Sequence, residues 1–232
     1  MSSIHIDRLK ITHTGGVLLD IAFDIGRSLA LVGQSGSGKS LTLKALLGLL
    51  DASMELELDK RSDFEWVRGG SVSLVPQNPF TALSPLTKIQ DQMFFPQERS
   101  EELFELLGLE RELLERFPPE LSGGQLQRIV VAMALGSNPR LLLLDEPTTA
   151  LDPESKETMI ALLQSLQRKM GFAMLFVTHD MRVAAALCEE ICVINKGQIV
   201  EAGKTSEIIS EPKEQYTRSL IDADFGNREF RI

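Results

Sequence analysis

The sequence predicts an α/β domain, and three observations carry that reading. The apolar strand Leu29-Ala30-Leu31-Val32 runs directly into a glycine loop and then into the apolar helix Leu41 to Leu47. Leu141-Leu142-Leu143-Leu144 is wholly apolar and ends in Asp145-Glu146, the pattern of a buried parallel strand that delivers carboxylates to one edge of a sheet. Residues 87–117 place Leu103, Leu106, Leu107, Leu109, Leu113, Leu114 and Phe117 at helical spacing between charges, which reads as a small helical insert. With 232 residues, 43% hydrophobic and 25% charged, the chain can bury one large core and such an insert.

The first element pair comes from Ile4, Ile6, Leu9 and Ile11, followed across Gly15-Gly16 by Val17 to Ile25, an antiparallel strand pair. The loop after the next strand is Gly33-Gln34-Ser35-Gly36-Ser37-Gly38-Lys39-Ser40, which fits G-x-x-x-x-G-K-[ST] in the strand–loop–helix context that motif requires. Its glycines let backbone N–H groups approach phosphate oxygens, and the helix start turns its positive dipole end toward them. Lys39 is then expected to reach the β- and γ-phosphates and Ser40 to ligate magnesium, with Leu41 opening the helix. The loop implies binding of a nucleoside triphosphate.

Asp51 to Gly70 is polar, with alternation at Met54 to Leu58 suggesting a strand. Ser71 to Val75 is a further strand, stopped by Pro76-Gln77-Asn78-Pro79. That places Gln77 at a strand end, where its amide oxygen has access to a metal or a water. Pro118-Pro119 closes the insert, and Ser122-Gly123-Gly124-Gln125 opens the helix that runs to Leu135, with Ser122 as N-cap and a glycine pair presenting bare N–H groups to an anion.

Beyond Asp145 and Glu146, Pro153 starts a helix and Ala173 to Val177 is a strand delivering Thr178-His179-Asp180. Asp145 is expected to hold magnesium through its water shell, and Glu146 to orient or deprotonate the attacking water. A helix over 181–189, strands over 191–195 and 198–201 and a helical stretch from Thr205 to Ala223 complete the reading. His13, near the first turn, is a candidate for stacking on adenine or an ordinary surface histidine. His179 stands where a histidine can contact a γ-phosphate.

Composition limits the partners. A formal charge of −9 argues against nucleic acid, which is bound through clustered Lys and Arg. Cys188 and Cys192 have no further Cys or His close by in sequence and read as buried thiols rather than metal ligands. The start Met1 to Asp7 has no charged segment followed by an apolar one, so a reducing cytosolic location is expected, and no apolar run approaches the roughly 20 residues that cross a bilayer.

Taken in order, the phosphate loop, Gln77, Leu121-Ser122-Gly123-Gly124-Gln125, Leu141 to Glu146, Ala150-Leu151-Asp152 and His179 resemble the ABC-type ATPase domain over nearly the whole chain. The resemblance implies a single domain over residues 1–232, with a RecA-like P-loop core (1–83 and 126–232), an antiparallel β subdomain and an inserted α-helical subdomain at about 84–125. It implies ATP and Mg2+ as ligands, with Ser40, Gln77 and Asp145 around the metal and Glu146, His179 and Gln77 around the reacting phosphate. It also implies a head-to-tail pair in which Ser122, Gly123, Gly124 and Gln125 of one domain contact ATP on the other, with Asp152 in the loop between the two domains.

Val75-Pro76-Gln77-Asn78-Pro79, Leu83-Ser84-Pro85, Asp145 to Asp152 and above all Glu211-Pro212-Lys213-Glu214-Gln215-Tyr216-Thr217-Arg218-Ser219-Leu220 resemble the peptide and nickel uptake family, and Gly38 to Thr42 with the short tail is most similar to its nickel-import subunit. The function implied is ATP-driven import of nickel or a nickel chelate, or alternatively of di- or oligopeptides. The partners implied are two integral-membrane permease subunits, a second homologous ATPase subunit (or a second copy) and an extracytoplasmic solute-binding protein, with this chain peripheral on the cytoplasmic face. Phe80, Leu83, Met93, Phe94 and Phe95 are either permease contacts or subdomain core. Peptide-importing members commonly extend past this tail into a cysteine-rich segment that holds an iron–sulfur cluster; this sequence contains no such segment, so no cluster is expected here. A non-transport ABC ATPase is the alternative from another class.

Overall fold

The computed structural model describes residues 4–225. In chain order the elements are β1 (Ile4–His13), β2 (Gly16–Ile25), β3 (Ser28–Val32), α1 (Lys39–Leu46), β4 (Met54–Arg61), β5 (Val72–Val75), α2 (Gln97–Leu106), α3 (Gly123–Leu135), β6 (Leu141–Asp145), α4 (Pro153–Met170), β7 (Ala173–Thr178), α5 (Met181–Leu187), β8 (Glu190–Asn195), β9 (Gln198–Lys204), α6 (Thr205–Ser210) and α7 (Gln215–Phe225). They divide between two compact units. One holds the described residues up to Asp63 and from Ala173 onward, the other Phe64–Phe172.

In the first unit, alternation makes one sheet. Leu19, Ile21, Phe23 and Ile25 are buried along β2 while Asp20, Ala22 and Asp24 face out, so one face packs and the other is solvated. A two-residue turn, Thr14 (φ 49°) and Gly15 (φ 80°), joins β1 to β2, the conformation that matches strand twist. β4 adds to the other side of β1, also antiparallel, confirming the strand expected around Met54 to Leu58. At a register shift in β1, Asp7 accepts from Arg61 Nε at 2.7 Å and Nη2 at 2.6 Å, and this hydrogen bonding holds its carboxyl below the usual range.

The same unit carries a second set of strands in which β3 lies between β7 and β8, parallel to both, with β9 antiparallel on β8. Every residue of β3 and of β7 is buried. Such uninterrupted apolar runs belong to strands covered on both faces. Lys196 (φ 47°) and Gly197 (φ 79°) form the tight turn between β8 and β9.

In the second unit, β5 and β6 pair in parallel, and α3 packs on β5 and α2. Leu103 and Phe104 of α2, Leu126, Ile129, Val131 and Leu135 of α3, and Leu141 to Leu144 of β6 are all inaccessible to solvent. Burying each such side chain contributes roughly 1.5–3 kcal/mol relative to exposure. The ends of α4 follow local rules: Asp152 caps it by accepting from Ser155 N at 3.0 Å, Pro153 takes the first turn, and Gly171 at φ 74° closes it behind Arg168 and Lys169.

Two sequence expectations are corrected. Residues 87–117 are not helical throughout: only Gln97–Leu106 is α-helix, and Gln90–Gln92 and Arg111–Glu115 are single 3-10 turns. Pro96 stands at the N-cap position of α2 without a side-chain capping bond, and Gly108 at φ 61° ends it. The stretch 205–223 is likewise two helices, since Pro212 interrupts α6 before α7 begins. Of the five apolar candidates, Leu83 and Met93 are core, Phe80 and Phe94 are exposed, and Phe95 is half-buried against Gly136. Among the described residues, no helix is long and apolar enough to cross a membrane.

Candidate functional site

The phosphate loop leaves β3 at Gly33 and enters α1 at Lys39 in the first unit. Its glycines meet distinct physical demands. A Cβ on Gly33 would lie 2.2 Å from the Ile194 carbonyl oxygen of β8, so no side chain fits there. Gly36 sits at φ 80° and Gly38 at φ 112°, a backbone that L side chains rarely adopt, and a Cβ on Gly38 would also stand 2.7 Å from Leu19 Cδ1.

The loop is tied to its surroundings through the backbone. Gly197 N donates to Ser37 O at 3.0 Å, while Asp20 N donates to Gly197 O at 2.9 Å, so the β8–β9 turn bridges the loop and β2. Lys39 is almost fully buried and its Nζ donates to Gly33 O at 2.7 Å and Gln34 O at 3.1 Å. Ser37 Oγ is buried with no hydrogen-bond partner among the described residues. A glycine-lined cradle with a buried ammonium and an orphaned hydroxyl fits an oxyanion such as a nucleotide phosphate. Gln34, Ser35, Gly36 and Ser40 face solvent, and Leu41 is half-buried.

His179 belongs to the same edge. Val32 of β3 is in register with Thr178 of β7, so the phosphate loop and His179 leave adjacent parallel strands side by side. His179 is exposed, and Asp180 beside it caps α5 by accepting from Arg182 N at 2.9 Å and Val183 N at 3.2 Å. His13, at the end of β1, pairs with Gly16 and Met54, is half-buried, and sets its Nδ1 3.3 Å from Ser53 O.

The second unit assembles the remaining candidates. Val75 is in register with Leu144, so Gln77, beyond β5, and Asp145 and Glu146, at the end of β6, come off one strand edge. Gln77 is exposed, and Asp145 and Glu146 are half-buried. Glu146 has φ 45°, unusual for a non-glycine residue, and its Oε2 accepts from Thr149 Oγ1 at 3.0 Å. Gln77 and Asp145 carry oxygen donors of the hard type that magnesium takes, as Ser40 separately does in the first unit.

Ser122 caps α3: its Oγ accepts from Gln125 N at 3.2 Å while Gln125 Oε1 accepts from Ser122 N at 2.9 Å. This reciprocal box fixes a bare helix start with Gly123 exposed and Gly124 half-buried. A Cβ on Gly124 would sit 3.6 Å from Ser155 Oγ, so the starts of α3 and α4, the latter capped by Asp152, stand together around a cleft of about 140 Å³. The Ser155 hydrogen bonds also hold the Asp152 carboxyl below its ordinary value.

Both cysteines are buried thiols, as expected from the lack of a further Cys or His close by in sequence. Burial pushes Cys192 up to about 12 and Cys188 higher still. Sequence reasoning joined the last two strands through Lys196-Gly197 and noted Tyr216 in the tail, but missed that the turn anchors Ser37 and that the Tyr216 hydroxyl accepts from Gln34 N at 3.0 Å. The cues were present, a Lys-Gly pair between two apolar strands and the only tyrosine of the chain.

The ABC transporter family model matches residues 18–149. The peptidoglycan transport ATP-binding protein YejF of Agrobacterium fabrum is 37% identical over 91% of this chain, and the oligopeptide transport ATP-binding protein OppD of Bacillus subtilis 36% identical over 85%. This chain spans 45% of the first and 63% of the second. The solved structure of CbiO1 from Clostridium perfringens, described as part of the ABC transporter complex CbiONQ, superposes with a TM-score of 0.77 at 25% identity, covering 90% of each chain. Motifs, strand edges and likeness agree: the chain has the ABC ATPase fold and belongs to the ABC transporter family.

Proposed function

We propose that this chain is the ATP-hydrolysing, energy-coupling subunit of a bacterial importer for di- or oligopeptides. The observation that carries the cargo is the 36% identity to an oligopeptide transport ATP-binding protein. It supports peptides over nickel, the other cargo the sequence suggested.

In this reading the Gly33–Ser40 backbone and Lys39 hold the β- and γ-phosphates. Ser40, Gln77 and Asp145 would hold magnesium, which would supply positive charge against the phosphates. Glu146 orients or deprotonates the attacking water, and His179 contacts the γ-phosphate. Ser122, Gly123, Gly124 and Gln125 serve ATP held by a partner ATPase, with Asp152 at that junction. ATP then closes the pair and hydrolysis releases it, a population shift driven by the γ-phosphate. His13 is the adenine contact. Phe80 and Phe94, exposed apolar rings, are the permease contacts, on the cytoplasmic face of two membrane subunits served by a solute-binding protein.

The test is ATP turnover of the complex purified with its co-expressed membrane subunits and reconstituted. Stimulation by di- and oligopeptides in the presence of the binding protein is expected. Stimulation by a nickel chelate alone would return the cargo to nickel, and purification without any membrane partner would contradict the transport role.

A further inference from the structure

We propose that Tyr216 is a positioning residue for the phosphate loop, acting through the Gly33–Gln34 peptide; this rests on the reading of that loop as the nucleotide site. The carbonyl and the N–H of that peptide are gripped from opposite sides. Lys39 Nζ donates to Gly33 O at 2.7 Å, and Gln34 N donates to the Tyr216 hydroxyl at 3.0 Å. In a trans peptide these two groups point in opposite directions, so the two contacts together fix the plane. Gln34 O in turn accepts from Ser37 N at 3.2 Å and Lys39 Nζ at 3.1 Å. Tyr216 thereby sets the carbonyls against which the lysine is held.

The tail places that hydroxyl by several independent contacts. Arg218 donates to Pro212 O at 2.9 Å and Lys213 O at 3.1 Å, closing the bend before α7. Glu201 of β9 accepts from Lys213 N at 2.8 Å and Glu214 N at 3.1 Å. Thr217 and Leu220 are buried. Asp224, two turns beyond Tyr216, accepts from Met181 N at 2.6 Å at the start of α5, the helix that follows His179. Pro212, Thr217, Arg218 and Leu220 thus help to hold α7, and Tyr216 extends it to the loop.

Removing only the hydroxyl frees the Gln34 N–H, so the peptide samples other orientations and the competent loop is a smaller fraction of the population. Apparent affinity falls by that fraction. The experiment is calorimetric titration of the full chain and of Tyr216→Phe with MgADP, together with thermal midpoints without nucleotide and hydrogen exchange at Gln34. Expected are a Kd raised roughly three- to tenfold, the factor one neutral hydrogen bond gives, a midpoint lowered by no more than about 5 °C, and faster exchange of the Gln34 amide. Equal Kd values in parent and variant overturn the proposal while leaving the nucleotide site intact. A lowered midpoint with unchanged Kd assigns Tyr216 to stability alone and also overturns it. A parent chain that binds no MgADP overturns the site reading and the proposal with it. If Tyr216→Phe does not fold, the parent decides: slow exchange of the Gln34 amide supports the proposal, and exchange at the rate of an open loop overturns it.

Discussion

Replacing Gly33 by alanine should damage the chain more than replacing Gly36, although both lie in one loop. Gly33 has no positive φ, so the whole cost is steric: its new Cβ would meet Ile194 O at 2.2 Å, Ser37 Oγ at 2.8 Å and Ile194 Cγ2 at 3.1 Å. The nearest atom is backbone, in a strand bonded to β3 and β9, and cannot swing away. The loop must move by roughly 1 Å, an overpacking that costs on the order of 3 kcal/mol. In a chain of this size that lowers the thermal midpoint by about 6–12 °C. Gly36→Ala meets nothing within 4 Å and carries only the penalty of its φ of 80°, about 1–2 kcal/mol and a few degrees. The assay is thermal unfolding of both variants with and without MgADP. Saturating ligand should raise the midpoint of the parent and of Gly36→Ala, and leave Gly33→Ala where it was. A Gly36→Ala variant as destabilised as Gly33→Ala would refute the reasoning.

Three further outcomes are expected. Ser122→Ala removes one half of the capping box on α3 and should cost about 1 kcal/mol, read as a midpoint lower by roughly 2–4 °C. The buried thiols are protonated in the folded chain far above the pH at which unfolded cysteine ionises. Their contribution is therefore constant below about pH 8.5 and lost as pH rises toward 12, by about 1.4 kcal/mol per pH unit for each thiol; urea midpoints of the parent against a Cys188→Ala/Cys192→Ala variant should converge as pH rises. Asp152, with a lowered carboxyl, acts in the opposite direction: its cap is intact above the ordinary aspartate range and weakens as pH falls through its own lower value, so an Asp152→Asn variant should lose less helicity on acidification than the parent.

What the sequence conveyed was local. The strand–glycine loop–helix order, the N-cap at Ser122, the helix start at Pro153 and the apolar strand ending in Asp145-Glu146 are short-range patterns, and the structure shows each of these local elements as read. Residues 87–117 misled because leucine spacing reports a buried face and not the hydrogen bonding beneath it; Pro96 and Gly108 confine α2 to ten residues. The positive φ of Glu146 carries no signal in its residue type. The Tyr216–Gln34 contact spans 182 residues, and only the folded tail brings it about. The tail pattern was visible as a pattern, while its physical reason was not.

The most direct test of the central claim is phosphate release at saturating MgATP by the purified complex containing either the parent chain or Glu146→Gln. The account predicts turnover by the parent and a rate lower by at least ~100-fold in the variant, as for loss of a general base, with nucleotide affinity retained. Equal rates in the two would contradict the assignment of Glu146, and no turnover by the parent complex would contradict the proposed activity.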